Sequence, residues 1–270
     1  MALTFNGSSY LTRSAALFSG DATDYNFSVS AWVKPTGRHT GSIIGSDAGS
    51  GNAGRFALFL AAGYFNLRRS AGFITGPDQV SNDNTDWFHV LGTWQYGSRA
   101  LYVNGVSVAT ETSNIYLDPT AGTTFYIGRD HSGKYFNGVI AEAAAYSVYL
   151  SASDVAPLAA GFSPLFIQPD KLIGYWPLGG TLTPATSGIE VTASRNLTTT
   201  GTLTEATHPY QVWPAAHQNI IYPLTPAAIV PGQGHDYALP GNRMDYAANS
   251  KNDFTTPRQA ADYGVPNDGT

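Results

Sequence analysis

Few residues in this chain could support catalysis or metal binding, and their spacing does not bring them together. No two of the six histidines stand at a spacing that metal sites use, and no Gly-x-Ser-x-Gly sequence supplies a nucleophile. Cysteine is absent, which excludes disulfides and thiolate metal ligands. We therefore predict no catalytic residue and no metal-ligand set. The histidines are His39, His89, His131, His208, His217 and His235.

A glycine-rich run at residues 49–54 satisfies the Gly-x-Gly-x-x-Gly pattern of a phosphate-binding loop. It also follows an apolar segment, residues 42–44. The residues after it, 55–60 and 64–69, are typical of two short strands rather than of the helix that caps a bound phosphate. We interpret the run as a hairpin loop.

Aromatic residues offer a different chemistry, because their faces can stack on a sugar ring. With 5 Trp, 16 Tyr and 13 Phe, most of them must pack in a core. Loops on one rim are the alternative place for a ligand, since connections carry function more often than the elements they join. The rim candidates are Asp130, His131 and Tyr135, and the platform candidates are Tyr64, Phe65, Trp94, Tyr96 and Tyr135.

Composition predicts β structure to hold these residues. Only 12% of the 270 residues are charged, while 43% are hydrophobic and 29 are glycine, so the polar surface must come from Ser, Thr and Asn. The formal net charge of -5 and the lack of a basic run argue against nucleic acid as a partner. Apolar runs are too short to span a membrane, and residues 1–5 do not form a signal peptide.

Alternating runs between Gly, Asn and Ser predict antiparallel strands, with good examples at residues 26–34, 87–94 and 124–128. Asn104-Gly105 predicts a tight hairpin. Residues 151–154 (Ser-Ala-Ser-Asp) predict a capping box at the start of one short helix, which Pro157 shortens or kinks. Further strands are expected at residues 171–178 and 197–203.

The chain divides, on this pattern, into a sandwich over residues 1–213 and an extended tail over 214–270. The tail is rich in proline and tyrosine and lacks the periodicity of a core. We expect it to bind neighbouring subunits through aromatic anchors. These are Tyr222, Tyr237, Tyr246, Phe254 and Tyr263.

An ordered series of short sequences resembles the laminin-G-like, concanavalin A-like jelly-roll domain, the lectin/glucanase family. The resemblance covers residues 2–161 and implies an all-β, two-sheet antiparallel jelly-roll sandwich. The series is 2–10 (ALTFNGSSY), 27–35 (FSVSAWVKP), 87–90 (WFHV), 101–105 (LYVNG), 127–128 (IG) and 136–142 (FNGVIAE), then Tyr146, Leu150 and Ser151.

The resemblance also carries expectations about chemistry. Residues 172–178 look like a strand that precedes the 2–10 string in this family, so the order here looks circularly permuted. The paired carboxylates of the glucanases are missing, because Glu142 is the sole acid between residues 138 and 149. Laminin-G-like domains often hold Ca²⁺, for which Asp130 and Asp47 are candidates, although turn formation is the better interpretation of both.

Three functions follow as hypotheses. The leading one is a non-catalytic structural protein of a virus particle, of the tailed phage kind, whose jelly roll projects outward and whose tail contacts other virion proteins and copies of itself. The alternative is an extracellular carbohydrate-binding or adhesive module for host surface glycans. A glycoside hydrolase is the remote third. We predict no cofactor, with Ca²⁺ as an option, and localisation on the exposed virion surface.

Overall fold

The computed structural model describes residues 2–15, 17–18, 26–47, 55–69, 72–112, 123–178 and 196–209. These residues form mostly short strands, as the alternating pattern predicted. One α-helix, α1 (Ala152–Ala159), and two 3-10 helices, Pro164–Phe166 and Pro169–Lys171, occur among them. The strands are β1 (Ala2–Asn6), β2 (Tyr10–Arg13), β3 (Phe27–Pro35), β4 (Thr40–Asp47), β5 (Phe56–Ala61), β6 (Tyr64–Arg69), β7 (Gly72–Asp78), β8 (Phe88–Gln95), β9 (Ser98–Val103), β10 (Val106–Thr112), β11 (Thr124–Ile127), β12 (Asn137–Tyr146), β13 (Leu172–Trp176), β14 (Thr198–Thr200) and β15 (Thr204–Ala206).

The strands pair antiparallel in two sheets, which confirms the predicted all-β sandwich. Among the described residues, the eight-stranded sheet has the order β10-β9-β8-β3-β12-β1-β15, and β13 also pairs with β12. The seven-stranded sheet has the order β14-β2-β11-β4-β5-β6-β7. Neighbours such as β3 and β12 are far apart in sequence, which is the crossing pattern of a jelly roll.

The core lies between the two sheets and is filled by side chains at every second strand position. In β5, Phe56, Leu58 and Leu60 point into it. Phe27 stacks on Trp94 with ring centroids 4.4 Å apart, and Phe56 meets Trp94 edge-on at 5.6 Å. Since Phe56 belongs to the seven-stranded sheet and the other two to the eight-stranded sheet, this aromatic contact joins the sheets.

Helix α1 packs on the outer face of the eight-stranded sheet, away from the core. Its capping box is confirmed, because the Ser151 hydroxyl accepts from the Asp154 amide and the Asp154 carboxylate accepts from the Ser151 amide at 2.9 Å. Pro157 lies inside this eight-residue helix, as predicted. The helix and the sheet share a second apolar cluster, to which α1 contributes two of the residues: Leu91, Ala100, Tyr102, Ala144, Tyr146, Leu150, Val155, Leu158, Ile167, Leu172 and Tyr175.

The hairpin between β9 and β10 turns at the predicted Asn104-Gly105 pair. Both residues have positive φ, 50° and 82°, as the tight turn requires. Near this edge of the sandwich, Glu111 of β10 accepts from Arg99 at 2.8 Å and from Arg69 of the other sheet at 3.2 Å. Arg99 also donates to the carbonyl oxygen of Leu67 at 3.1 Å. Ionic contacts therefore tie the two sheets together here.

Strands β1 and β13 lie end to end along the same side of β12. Leu3 pairs with Ile140 in the first half of β12, and Tyr175 pairs with Ala144 in the second half. The 171–178 segment is therefore a strand of the sandwich, as expected. Its interpretation as a permuted strand stays a prediction.

The expected strand at residues 197–203 is wrong in extent. Only Thr198–Thr200 is a strand, and it pairs with β2 of the seven-stranded sheet. Gly201, with φ of 78°, then turns the chain, and β15 pairs with β1 of the other sheet. Leu197 and Leu203 flank the crossing and are both buried in the core, which explains why their pattern looked like one strand.

The predicted tail over residues 214–270, its anchors and the boundary at residue 213 lie outside the described residues. The glycine-rich run at 49–54 does so as well. Within the part of the chain that the structure describes, no helix has the length and hydropathy needed to cross a bilayer.

Candidate ligand-binding face

The outer face of the seven-stranded sheet gathers aromatic and arginine side chains from strands that are distant in sequence. In β11, Phe125 and Ile127 point into the core, so Tyr126 points outward. In β6, Phe65 and Leu67 point inward, so Arg68 points outward by the same alternation. Strand register places both side chains in one row across the sheet. That row is Thr12, Tyr126, Gly45, Ala57, Arg68 and Phe73.

Arg129 lies at one end of this face, inside a group of three tyrosines. Its guanidinium carbon is 4.8 Å from the ring centroid of Tyr10, 5.3 Å from Tyr126 and 5.5 Å from Tyr135. The rings also contact one another, with the Tyr10 and Tyr135 centroids 5.9 Å apart. Such cation–π contacts hold the guanidinium in a fixed orientation.

Arg68 occupies a similar position at the other end of the row. Its guanidinium carbon is 5.2 Å from the centroid of the Phe59 ring, which meets Phe73 edge-on at 5.7 Å. Phe73 is 54% exposed, so this aromatic pair reaches solvent. Between the two arginines, Gly45 and Ala57 add no large side chain to the row. We call the surface of Tyr10, Phe59, Arg68, Tyr126 and Arg129 the arginine face.

The loop from Arg129 to Tyr135 borders this face and is shaped by Asp130. The Oδ1 atom of the buried Asp130 accepts from the amide of Ser132 at 2.9 Å, its hydroxyl at 2.7 Å and the amide of Lys134 at 3.0 Å. This is the turn-forming role that the sequence favoured over a calcium ligand.

His131 extends from this loop toward the neighbouring strands. Burial lowers its pKa, and the charges of Arg55 and Arg68 lower it further, while Asp130 and Asp47 act in the opposite direction. The charges that act on His131 thus include two arginines of the neighbouring strands, Arg55 just before β5 and Arg68 on β6. Burial and these two cations all favour the neutral form of the ring.

The structure brings the three rim candidates Asp130, His131 and Tyr135 into one loop beside the arginine face. Their role in binding stays a prediction. The platform of five aromatic residues is wrong, because Phe65 and Trp94 are core residues with 0% and 1% exposure. Both lie at inward positions of their strands, which the aromatic count alone did not distinguish. Tyr96, 65% exposed, lies beyond the end of β8 in the other sheet.

Sequence reasoning missed Tyr10, Phe59, Arg68, Tyr126 and Arg129. The available signal was the alternation itself, which leaves Tyr126 between two apolar inward residues and Tyr10 before Leu11. Their convergence depends on the pairing of β2, β11 and β4, which alternation does not specify.

Glu142 lies far from this face, in a buried cluster on the eight-stranded sheet. It interrupts the pairing of β12 with β3 and adopts a positive φ of 52°. Tyr175 donates a short hydrogen bond to one carboxylate oxygen, and the His208 ring lies 2.8 Å from the other. Both oxygens are engaged, so Glu142 joins β12, β13 and the segment after β15. Among the described residues, no group of three or more His, Asp or Glu is placed to hold a metal ion.

A two-sheet jelly roll with strand order of this kind defines a concanavalin A-like sandwich domain. The family model for laminin-G-like domains, described as the concanavalin A-like lectin/glucanases superfamily, matches residues 5–156. The chain belongs to this family. The matched range therefore ends before β13, β14 and β15 begin. No curated protein sequence matches the chain.

Solved structures share the fold at low sequence identity. A protein from Bacteroides ovatus with a proposed carbohydrate-binding role aligns with a TM-score of 0.56 and 21% identity, over 75% of this chain and 59% of that one. Domain 4 of AbnA, an extracellular arabinanase of Geobacillus stearothermophilus solved with arabinotriose, aligns with a TM-score of 0.48 and 23% identity, over 58% of this chain and 76% of that one. Mouse laminin α1 domains LG4-5 align with a TM-score of 0.41 and 19% identity, over 53% of this chain and 40% of that one. The chain thus spans less than two thirds of the Bacteroides protein's length.

Proposed function

We propose that this protein is a non-catalytic carbohydrate-binding module whose ligand lies on the arginine face. The observation that carries the proposal is the stacking of Arg129 on Tyr10, Tyr126 and Tyr135 beside a tightly turned loop. Tyrosine rings complement the C–H faces of a sugar, and guanidinium and phenol groups complement its oxygens. The carbohydrate-binding role proposed for the Bacteroides ovatus protein, whose fold this chain shares, supports the same ligand class.

The site needs little reorganisation to bind. The strands fix the tyrosine backbones, and Asp130 orders the loop that carries Arg129 and Tyr135. Groups held in place before binding lose less conformational entropy when the ligand arrives. Glu142 makes a poor catalytic carboxylate, since Tyr175 and His208 occupy both oxygens.

A glycan array probed with the full chain tests the proposal. We expect saturable binding to one sugar class, lost in Tyr126→Ala and in Tyr135→Ala. Tyr96→Ala is the matched control, because it removes an exposed tyrosine from the other sheet and should bind as the wild type does. Absence of binding to all glycans, or equal loss in Tyr96→Ala, would contradict the proposal.

The virus-particle hypothesis remains compatible with a glycan-binding domain but stays a prediction. It depends on the aromatic anchors between residues 214 and 270, which lie outside the described residues. Mass spectrometry of purified particles, with cross-links mapped to this segment, tests it. A chain ending near residue 213 that still enters particles normally would refute the anchoring role.

A further inference from the structure

The arginine face carries more positive charge than its own carboxylates balance, in a protein whose formal net charge is -5. Three arginines, Arg55, Arg68 and Arg129, lie on or beside it. Asp47 approaches Arg55 at 3.9 Å, which is a long contact for an ion pair. Asp130 directs one oxygen to the loop amides instead.

The guanidinium groups of Arg68 and Arg129 have no hydrogen-bond acceptor and no ion pair within the part of the chain that the structure describes. Their Nε atoms are enclosed without a partner. Their terminal Nη atoms are not among the enclosed atoms, so these retain contact with solvent. The guanidinium carbons of both arginines lie over aromatic rings. A ligand therefore reaches the terminal N–H groups from the side that the rings leave open to solvent.

A carboxylate fits this geometry better than a hydroxyl does. Guanidinium N–H groups form a planar fork that matches the two oxygens of a carboxylate, and such charge-assisted bonds are about twice as strong as neutral ones. The aromatic contacts already restrict the arginine side chains, so less entropy is lost on binding.

Building on the proposed carbohydrate-binding function, we infer that the arginine face selects acidic sugars, and that Arg68 and Arg129, at opposite ends of the row, each offer a binding site for a sugar carboxylate. His131 follows Arg129 by two residues in the same loop and reports on this site. Arg55, Arg68, Asp47 and Asp130 are the charged groups that act on its ring. A bound carboxylate adds a negative charge there, which favours the protonated imidazole and raises the His131 pKa.

The experiment compares sugars that differ in charge alone. Calorimetry on the full chain measures an oligogalacturonate against its fully methyl-esterified form, and sialyllactose against its methyl ester. These two arms separate uronic from sialic acids as the source of the carboxylate. We expect at least one acid to bind about tenfold or more tightly than its neutral counterpart, with an advantage that shrinks as salt is added.

Arginine variants then locate the carboxylate. Arg68→Gln and Arg129→Gln should each weaken binding of the acidic sugar by more than they weaken binding of its neutral counterpart, so the preference for the acid falls. Arg38→Gln is the matched control, because Arg38 pairs with Asp78 away from the row and stacks on Tyr64. If Arg129→Gln fails to fold, Arg68→Gln and the wild-type comparison of acid with ester still decide the question.

Nuclear magnetic resonance of the His131 ring gives an independent readout. The acidic sugar should raise the His131 pKa, and the methyl ester should not. Equal affinity for acid and ester overturns the inference but leaves the proposed function standing. Tighter binding of a sulfated sugar that lacks a carboxylate than of either carboxylic acid also overturns it. Absence of binding by every sugar overturns both.

Discussion

The two outer faces of the sandwich differ in what covers them. On the eight-stranded sheet, α1 buries an apolar cluster that includes Leu91, Tyr146 and Leu158. On the seven-stranded sheet, the row from Tyr126 to Arg68 carries aromatic and cationic groups, and Phe73 reaches solvent. The helix covers the first face, whereas the guanidinium groups of Arg68 and Arg129 on the second have no partner among the described residues. This difference is the structural basis for the ligand binding proposed on the second face.

The largest expected effect is on the helix-covered face. Leu158→Ala removes a side chain that is 2% exposed and leaves a cavity between α1 and the sheet. We expect the free energy of unfolding to fall by about 2–5 kcal/mol, measured by urea denaturation. Glycan binding by the remaining folded protein should be unchanged. A loss of binding without loss of stability would remove the contrast between the faces.

Two histidines, one on each face, should contribute differently to the pH dependence of stability. His89 points to the helix-covered side, where complete burial lowers its pKa to about 3, while His131 is only partly buried and less shifted. The native state therefore binds fewer protons than the unfolded state, whose histidine titrates near its ordinary pKa of 6.5. Stability from His89 is complete above about pH 6.5 and is lost as the pH falls toward 3.

Between pH 7 and pH 5, we expect His89 alone to lower the free energy of unfolding by about 2 kcal/mol. Comparing wild type with His89→Gln at both pH values isolates this contribution. His131→Gln, the control, should alter the pH dependence much less. Equal effects of the two substitutions would mean that the faces do not differ in their exclusion of water.

Two consecutive arginines sharpen the comparison further. Arg69 points inward and pairs with Glu111, whereas Arg68 points outward and has no carboxylate partner among the described residues. Arg69→Gln should destabilise the fold by about 1–2 kcal/mol, because it breaks a largely buried ionic contact between the sheets. Arg68→Gln should change stability by about 0.5 kcal/mol or less. Thermal melting of both variants checks this order, and a reversed order would contradict it.

The smallest effect is expected at Phe73. The ring is 54% exposed, so Phe73→Ala should change the free energy of unfolding by no more than about 0.5 kcal/mol. Urea denaturation measures it alongside Leu158→Ala. A loss approaching that of Leu158→Ala would show that this face also stabilises the fold.

Local signals predicted the parts of the fold that neighbouring residues determine. Asn104-Gly105 fixed one hairpin, and Ser151 with Asp154 fixed the start of α1, since each depends on contacts within a few residues. The arginine face depends instead on register between distant strands, such as Tyr126 opposite Gly45 and Ala57 opposite Arg68. Alternation tells which side a residue faces but not which strand lies beside it.

The same limit explains why the sequence pattern did not locate Phe59 and Leu203 correctly. Phe59 lies on the outer side within an almost continuous apolar run, so the run did not show which of its residues face the core. Leu203 continued an apparent strand pattern from Leu197, but Gly201 carries the chain across to the other sheet between them. Both residues are buried, Phe59 against Phe73 and Arg68 on the outer face and Leu203 in the core between the sheets. An apolar residue in the sequence indicates burial but not which of these two places it occupies.

The position of β1 has a consequence for how the domain folds. Leu3 pairs with Ile140 on one side and with Glu205 on the other, so both partners of this early strand come from late in the described chain. During synthesis, β1 must wait unpaired while the intervening strands emerge, because its hydrogen-bonding groups have no local partner. Pairings of such long sequence separation slow folding into the range of milliseconds to seconds and leave strand edges open to other chains meanwhile. Among the described residues, the crossing at Gly201 therefore precedes the step in which β15 pairs with β1 and takes its place at the edge of the sheet.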